Sequence, residues 1–483
     1  MSDRRMTVGY SVNMDQVVNL QEIPMGQPDI EAMPASHDHE AAQEFLRAHP
    51  DIDTLEIVLP DTNGVLRGKW LPGSALPKVF SSGVAFPFSL FGLDVWGREV
   101  EETGLHIETG DQDGLCWPVL DTLQLVPWVE RKTAQVLVSM FDRDGEAFDI
   151  DPRHVLKNMK QKLADFGVTA TAAFELEFYL FDDAGKTEVG VPPKPVFSTE
   201  LGPARQNMYA LSDLEALMPL VDEIRSGAER QGIAADAAVS EAAPGQFELN
   251  LHHRSDPLQA ADDAVLLRRL VIGVARKHGL KASFMAKPFV EWPGNGMHVH
   301  VSLEGQSGNI FADETAGETR LGHSIEGLLS TMPAAHLLFV STFNGFRRMQ
   351  PGSYAPTNIC WGHDNRSVAL RVPAGPADAR RIEHRIAGAD ANPYLVLTGV
   401  LAGMLEGLMA EKQPPAPAEG NAYETTAGKL TPWMDEAIDA FEASSVMRTA
   451  VGPELHKTLT AIKREELTAF GREISTLERE TYL

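Results

Sequence analysis

Acids and bases sit at alternate positions of several short apolar segments, and residues two apart on a strand share a face. In 174–181 (FELEFYLF), Glu175 and Glu177 share one face, which Tyr179 and Phe181 continue. Phe174, Leu176, Phe178 and Leu180 form the other. Downstream, SEAAPGQFELNL carries Glu241 and then Glu248, which shares a strand face with Asn250. Pro244-Gly245 between them forms a loop that returns Glu241 beside that strand. In 297–303 (MHVHVSL), His298, His300 and Ser302 face one way, and the apolar residues face the other. Gly294 and Gly296 precede this strand and permit close backbone approach. In 381–385 (RIEHR), Arg381, Glu383 and Arg385 share a face, with Arg348, Arg366 and Arg371 upstream.

Each segment alone reads as an amphipathic strand with a solvated side, and a His-x-His strand alone reads as structural. Together they offer carboxylates and imidazole suited to hard divalent ions such as Mg²⁺ or Mn²⁺. The arginines suit phosphoryl and carboxylate groups. The chemistry of such a set is metal-assisted phosphoryl transfer.

The elements that position these residues can be read in outline. A short helix is expected over 40–47, then a hairpin. Leu55, Ile57 and Leu59 lie on one face of its first strand, Asp61-Thr62-Asn63-Gly64 makes the turn, and 65–70 returns. A further strand is expected at 135–141. Asp151-Pro152 opens a helix, and another covers about 259–278, stopped by Gly279. The run 413–421 (QPPAPAEGN) reads as a surface loop, and the C-terminal segment as helices. Strands and helices interleave, with antiparallel or mixed strands. No glycine-rich phosphate loop links a strand to a helix, which excludes Rossmann and P-loop readings.

The chain has 483 residues and a formal net charge of −26, from 68 acidic and 42 basic residues. That balance repels phosphate backbones and anionic lipid, so neither nucleic acid nor membrane is an expected partner. Its two cysteines, Cys116 and Cys360, cannot build a disulfide framework or a cysteine zinc site. No signal peptide is evident at the N-terminus, and a cytoplasmic location is expected. The longest apolar run, 394–409, is interrupted by Glu406 and reads as a buried helix.

FELEFYLF, SEAAPGQFEL, GNGMHVHVS, NGFRRMQPGSYAP, NRSVALRVP and ARRIEHR with a following NPY occur in this order. In this the chain resembles the glutamine synthetase family, type I branch, from about residue 50 to the C-terminus. The resemblance implies an α+β fold. A flexible or docking extension, 1–49, would precede a small β-grasp-like domain, 50–146. A large catalytic domain, 151–483, would carry a curved antiparallel sheet with surrounding helices. It implies ATP and two to three Mg²⁺ or Mn²⁺ ions per site. By match, Glu177, Glu241 and Glu248 would hold the ion nearer the amino-acid substrate. Glu175, His298 and Glu383 would hold the ion nearer the ATP phosphates. His300 and Ser302 would lie toward nucleotide, with Arg371 and Arg381 on its phosphates or on developing charge. Gly294 would sit beside glutamate, Arg348 and Arg385 would bind its carboxylates, and Arg366 would bridge glutamate and phosphate. Asp61 would serve a neighbouring subunit's ammonium pocket; the alternative is that it shapes the hairpin turn. Homo-oligomers are implied, as hexameric rings paired into a dodecamer.

The pattern departs from ammonia-using members in three places. Tyr354 stands where they carry a flap glutamate that helps deprotonate ammonium, Pro293 replaces an asparagine before Gly294, and Asp378 replaces a basic residue. Tyrosine, with an ordinary pKa of ~10, is a poor base at neutral pH but can shape an apolar or cation-friendly pocket. These changes resemble the γ-glutamyl-amine ligase branch, whose members join glutamate to putrescine, other polyamines or monoamines. The expected reaction is ATP-dependent formation of a γ-glutamyl phosphate, then of an amide with an organic amine, in amine catabolism. An ammonia-using glutamine synthetase and a catalytically silent oligomeric relative are the alternatives. Tyr423 lies near where some type I enzymes carry a nucleotidylated tyrosine, but GNAYETTAG lacks that context and reads as a loop.

Overall fold

In the computed structural model of the chain, residues 36–182, 195–197 and 208–483 are described. The extension expected at 1–49 falls largely outside them, and its described part is a helix, Ser36–Ala48. Strands β1 (Thr54–Pro60), β2 (Leu66–Pro72), β3 (Val84–Pro87), β4 (Asp113–Pro118), β5 (Gln124–Leu125) and β6 (Thr133–Phe141) form one sheet. Its order is β2-β1-β6-β4-β3, with β5 against β6. β1 pairs antiparallel with β2 and parallel with β6.

This central placement buries both faces of β1, so every residue of the strand is buried. Leu55, Ile57 and Leu59 enter the core. On the other face Arg269, from the helix Pro257–Lys277, donates to Glu56 and to Gln135 on β6. An alternating sequence on a central strand thus hides a charged pair, not a solvated face.

A second sheet contains β7 (Thr169–Asp182), β8 (Ala235–Ser240), β9 (Gln246–Leu251), β10 (Leu280–Ser283) and β11 (Met297–Gly305), with the hairpin partner β12 (Gly308–Asn309). It is completed by β13 (Trp361–His363), β14 (Leu370–Val372) and β15 (Ile382–His384). The order is β13-β14-β15-β11-β7-β9-β8, with β10 on β7 and β12 on β11. All these pairings are antiparallel except β13 with β14.

β7 alternates as its sequence requires: Phe174, Leu176 and Phe178 are buried in the core, whereas Glu175 and Glu177 are half-buried on the opposite face. The helix Pro152–Phe166 starts on its Asp151 cap, which accepts from the Arg153 amide, and Gly167 ends it at φ 92°. The apolar helix Pro393–Ala410 is long enough to cross a membrane, but 83% of it is buried inside the protein, as a core helix is. It packs against Gly317–Phe339 at glycine contacts: a Cβ on Gly407 would lie 2.0 Å from the His323 carbonyl oxygen. The run 411–421 lies at the surface without regular structure.

Candidate active site

Strand register assembles the site. Opposite residues on an antiparallel pair project to the same face. His298 on β11 faces Glu175 on β7, and Glu175 faces Asn250 on β9. Glu177 faces Glu248 on β9. On the other side His300 faces Glu383 on β15, and Glu383 faces Arg371 on β14. The alternation seen in each segment becomes one continuous polar surface across five strands of the sheet, whose reverse side is core.

Two groups of side chains come close enough to share an ion. Ligand atoms of Glu175, His298 and Glu383 lie within 4.8 Å of one another, and so do those of Glu177, Glu248 and His298. The first is the set expected from the sequence. The second differs: His298 serves both groups, and Glu241 stands just outside. Glu241 leaves the end of β8, its amide donating to the Gln246 carbonyl across the Pro244-Gly245 turn at 2.8 Å. It still feels Glu177 and Glu175 electrostatically.

The donor set suits hard divalent cations, and its electrostatics support that fit. Burial, then the charges of Glu175, Glu177 and Glu241, push the Glu248 carboxyl up to about 9. Burial and Glu177 push Glu241 up to about 7. These are carboxylates short of positive charge. Glu175 goes the other way: burial opposes its ionisation, but hydrogen bonds from His298 (3.1 Å) and His300 (2.9 Å) outweigh it and hold the pKa well below the ordinary range. Glu383 is almost fully buried; against that burial Arg385, then the two histidines, draw its pKa down to about 2.

The arginines ring this surface unevenly. Arg385 donates to Glu383 Oε1, and Arg371 bonds Glu383 Oε2 at 2.8 Å while also reaching Asp364. Arg381 Nε donates to His300 Nδ1 at 3.1 Å, which fixes that ring between Arg381 and Glu175. Ser302 donates to Glu304 at 3.2 Å. Arg348 is buried and anchored to the Ile386 carbonyl at 2.7 Å; burial lowers its pKa, and the Glu177 charge counters that only in part. Arg366 remains exposed, and its cation draws Glu241 downward.

Gly294 and Gly296 lie where a side chain cannot. A Cβ on Gly294 would sit 2.3 Å from the Ala286 carbonyl oxygen, and one on Gly296 would sit 2.7 Å from Arg348 Nη2. The Gly296 amide donates to Glu177 Oε2 at 2.6 Å. Two supporting residues escaped the sequence reading. Gln246 donates to the Gly294 carbonyl and to Asn295 Oδ1, and Asn295 donates to the Met285 carbonyl at 2.9 Å. Both are buried amides, and the asparagine between the two glycines was the available signal.

Asp61 makes the contacts that the hairpin-shaping alternative expects. It is 0% exposed, and its carboxylate accepts from the amides of Asn63 and Val65 and from Arg67 Nε, each at 2.9 Å. Asn63 and Val65 lie in its own turn and Arg67 on the returning strand β2, so the carboxylate is engaged within its own hairpin. Tyr354 is 64% exposed with φ 60°, at the tip of the loop that follows Arg348. It shares a groove of about 760 Å³ with Met285, Lys287, Val290, Trp292, Pro293 and Arg347.

A family model described as the glutamine synthetase catalytic domain matches residues 149–482. The gamma-glutamylputrescine synthetase PuuA of Escherichia coli K12 is 38% identical over 91% of this chain and 94% of its own length. A glutamate–isopropylamine ligase of a Pseudomonas species is 32% identical, covering 91% of this chain and 97% of its own. Among solved structures, a GmaS–ADP complex aligns with a TM-score of 0.78 at 25% identity, covering 91% of this chain and 98% of that one.

Proposed function

The chain belongs to the glutamine synthetase family, and from that premise we propose that it is an ATP-dependent ligase joining the γ-carboxylate of glutamate to an organic amine. The observation that carries this reading is the paired carboxylate–imidazole clusters, flanked by arginines, on one face of a sheet. Relatives named for putrescine, isopropylamine and ethanolamine products support the organic acceptor. The flap supports it too, since Tyr354 supplies no carboxylate for ammonium. The chemistry is coherent: a carboxylate is a poor electrophile until phosphorylated, and phosphate then leaves when the amine attacks.

In this reading Glu175, His298 and Glu383 hold one divalent ion, and Glu177 and Glu248, with Glu241 beside them, hold a second. Bound ions would offset the negative charge brought together by ATP and glutamate. Arg348 and Arg385 receive the carboxylates of glutamate, and Gly294 leaves room for its backbone. Arg366 is exposed and free to swing between glutamate and phosphate. Arg371 and Arg381 face the nucleotide phosphates, held there by Glu383 and His300. His300 and Ser302 line the nucleotide side. Because Arg348, Arg371, Arg381 and Arg385 are already held, they stabilise charge in the transition state with little reorganisation. The groove below Tyr354 receives the carbon skeleton of the amine; Met285, Val290 and Trp292 give it apolar walls.

Two separate sheets support a division into domains at 50–146 and 151–483, with the proposed catalytic surface on the second. The edge strand β2 exposes Trp70 at 75%. An open edge bearing a large apolar side chain supports assembly with further copies, and hexameric rings paired as a dodecamer are the proposed form. Buried free thiols at Cys116 and Cys360 fit a cytoplasmic location.

The test is product identification. Purified protein with ATP, Mg²⁺ and glutamate is offered ammonia, isopropylamine, ethanolamine, putrescine and spermidine separately. A γ-glutamyl amide of an organic amine, formed faster than glutamine, is the expected result. Glutamine as the main product returns the ammonia-using reading, and no nucleotide turnover with any amine returns the silent relative.

A further inference from the structure

The loop 350–356 carries Tyr354 at its tip, and both flanks of that tip are tied down. On the upstream side Ser353 Oγ donates to the Arg348 carbonyl at 3.0 Å and to the Gln350 carbonyl at 2.6 Å. On the downstream side the tie comes from a distant segment: Tyr423 Oη donates to the Ala355 carbonyl at 3.0 Å. The Tyr354 amide faces the same hydroxyl. One phenol oxygen therefore addresses two successive flap residues.

Tyr423 is itself rigidly mounted. Its amide donates to Asn421 Oδ1, and the neighbouring Ala422 carbonyl accepts from the buried Asn358 side chain at 2.8 Å. Backbone bonds Ile359–Gly428 and Leu430–Thr357 join the same two segments. Its ring also lies near Arg348 and Arg385, the residues that receive glutamate in the reading above. Meanwhile Tyr354 adopts a left-handed conformation that a bulky residue holds only when its surroundings impose it. The cost is comparable to the net worth of one hydrogen bond, so the Tyr423 contact is of the right size to decide the flap's position.

We propose that Tyr423 is a positioning residue that latches the flap 350–356 closed over the reaction site and so keeps water from activated glutamate. This rests on the ligase reading. Water that reaches a γ-glutamyl phosphate attacks the carbonyl carbon; the carbon–oxygen bond to phosphate breaks, and glutamate and phosphate leave as a proton passes to solvent. The amine reaction breaks the same bond but retains the amide. A loosened flap therefore appears as phosphate released without amide formed.

Tyr423→Phe keeps the ring and removes only the hydroxyl. Two readouts on the full-length protein decide the proposal. Hydrogen exchange of the 350–356 peptide is expected to speed up about five- to tenfold, the opening change that one net hydrogen bond governs. Exchange in the helix Pro393–Ala410 stays unchanged. The ratio of phosphate released to amide formed, at saturating amine, is expected to rise with it. Unaltered flap exchange, or faster exchange with the ratio at its wild-type value, overturns the proposal. If the wild-type protein forms no amide with any amine, the ligase reading is what fails, and with it the water-exclusion role.

Discussion

Replacing Glu248 by glutamine should act in opposite directions on the metal-free and the metal-loaded protein. Glu248 is buried to 9% exposure, and in the metal-free protein its carboxyl stands at about 9 against an ordinary 4.5. A raised carboxyl pKa means that the unfolded chain ionises first. Stability is therefore lost as pH rises from about 4.5, and the loss levels off above about 9. At pH 7 the penalty is the pH interval above 4.5 times about 1.4 kcal/mol, or about 3 kcal/mol. Glutamine is nearly isosteric and carries no proton to lose. Glu248→Gln should thus unfold at higher denaturant than wild type at pH 7 in the presence of chelator, and match it near pH 4.5. With Mg²⁺ or Mn²⁺ the order should reverse, because wild type gains stability from the ion by mass action and the variant loses a ligand. Turnover should fall by more than about 100-fold. The reasoning is refuted if the chelated variant is destabilised equally at both pH values, or if it keeps metal-dependent stabilisation and activity.

Other expectations follow from the same geometry. Glu177→Ala should abolish turnover, and near-normal activity at saturating Mg²⁺ would remove Glu177 from the metal set. Gly294→Ala forces a Cβ to 2.3 Å from the Ala286 carbonyl oxygen; it should cost about 1–3 kcal/mol in denaturation and raise the KM for glutamate, whereas an unchanged KM would place the substrate elsewhere. Tyr354→Glu should shift relative kcat/KM toward ammonia and away from putrescine, and an unchanged ratio would count against the flap as the source of amine preference. Asp61→Asn should lower stability by breaking the buried Arg67 pair but leave the pH profile of kcat unshifted, because the carboxylate serves its turn; a lost alkaline or acidic limb would make it the amine's base.

The sequence made the candidate catalytic surface legible because strand alternation is a local property. Glu175, His298 and Glu383 could each be placed on a face from their neighbours, and antiparallel register then brought them together. Registers themselves are set by long-range packing, so the sharing of His298 between two groups, and the position of Glu241 outside both, could not be read from spacing. β1 shows the limit of alternation: the pattern does not show that its polar face is also buried, with Arg269 covering Glu56 and Gln135. Asp61 had two readings because a turn acid and a catalytic acid look alike in sequence; its three partners within the hairpin show the structural part of its work. Gln246 and Tyr423 were not picked out as supports because each acts on a backbone group remote in the chain, and Asn295 because its partner lies across the loop between β10 and β11.

The central claim is that the chain activates glutamate by phosphorylation and passes it to an organic amine. Glutamate labelled with ¹⁸O in its γ-carboxylate, incubated with ATP, Mg²⁺ and an equimolar mixture of ammonia and putrescine, tests both halves in one tube. The account predicts that labelled oxygen appears in the released phosphate and that γ-glutamylputrescine outweighs glutamine among the products. Unlabelled phosphate would contradict the acyl-phosphate route, and labelled phosphate with glutamine as the main product would contradict the organic acceptor.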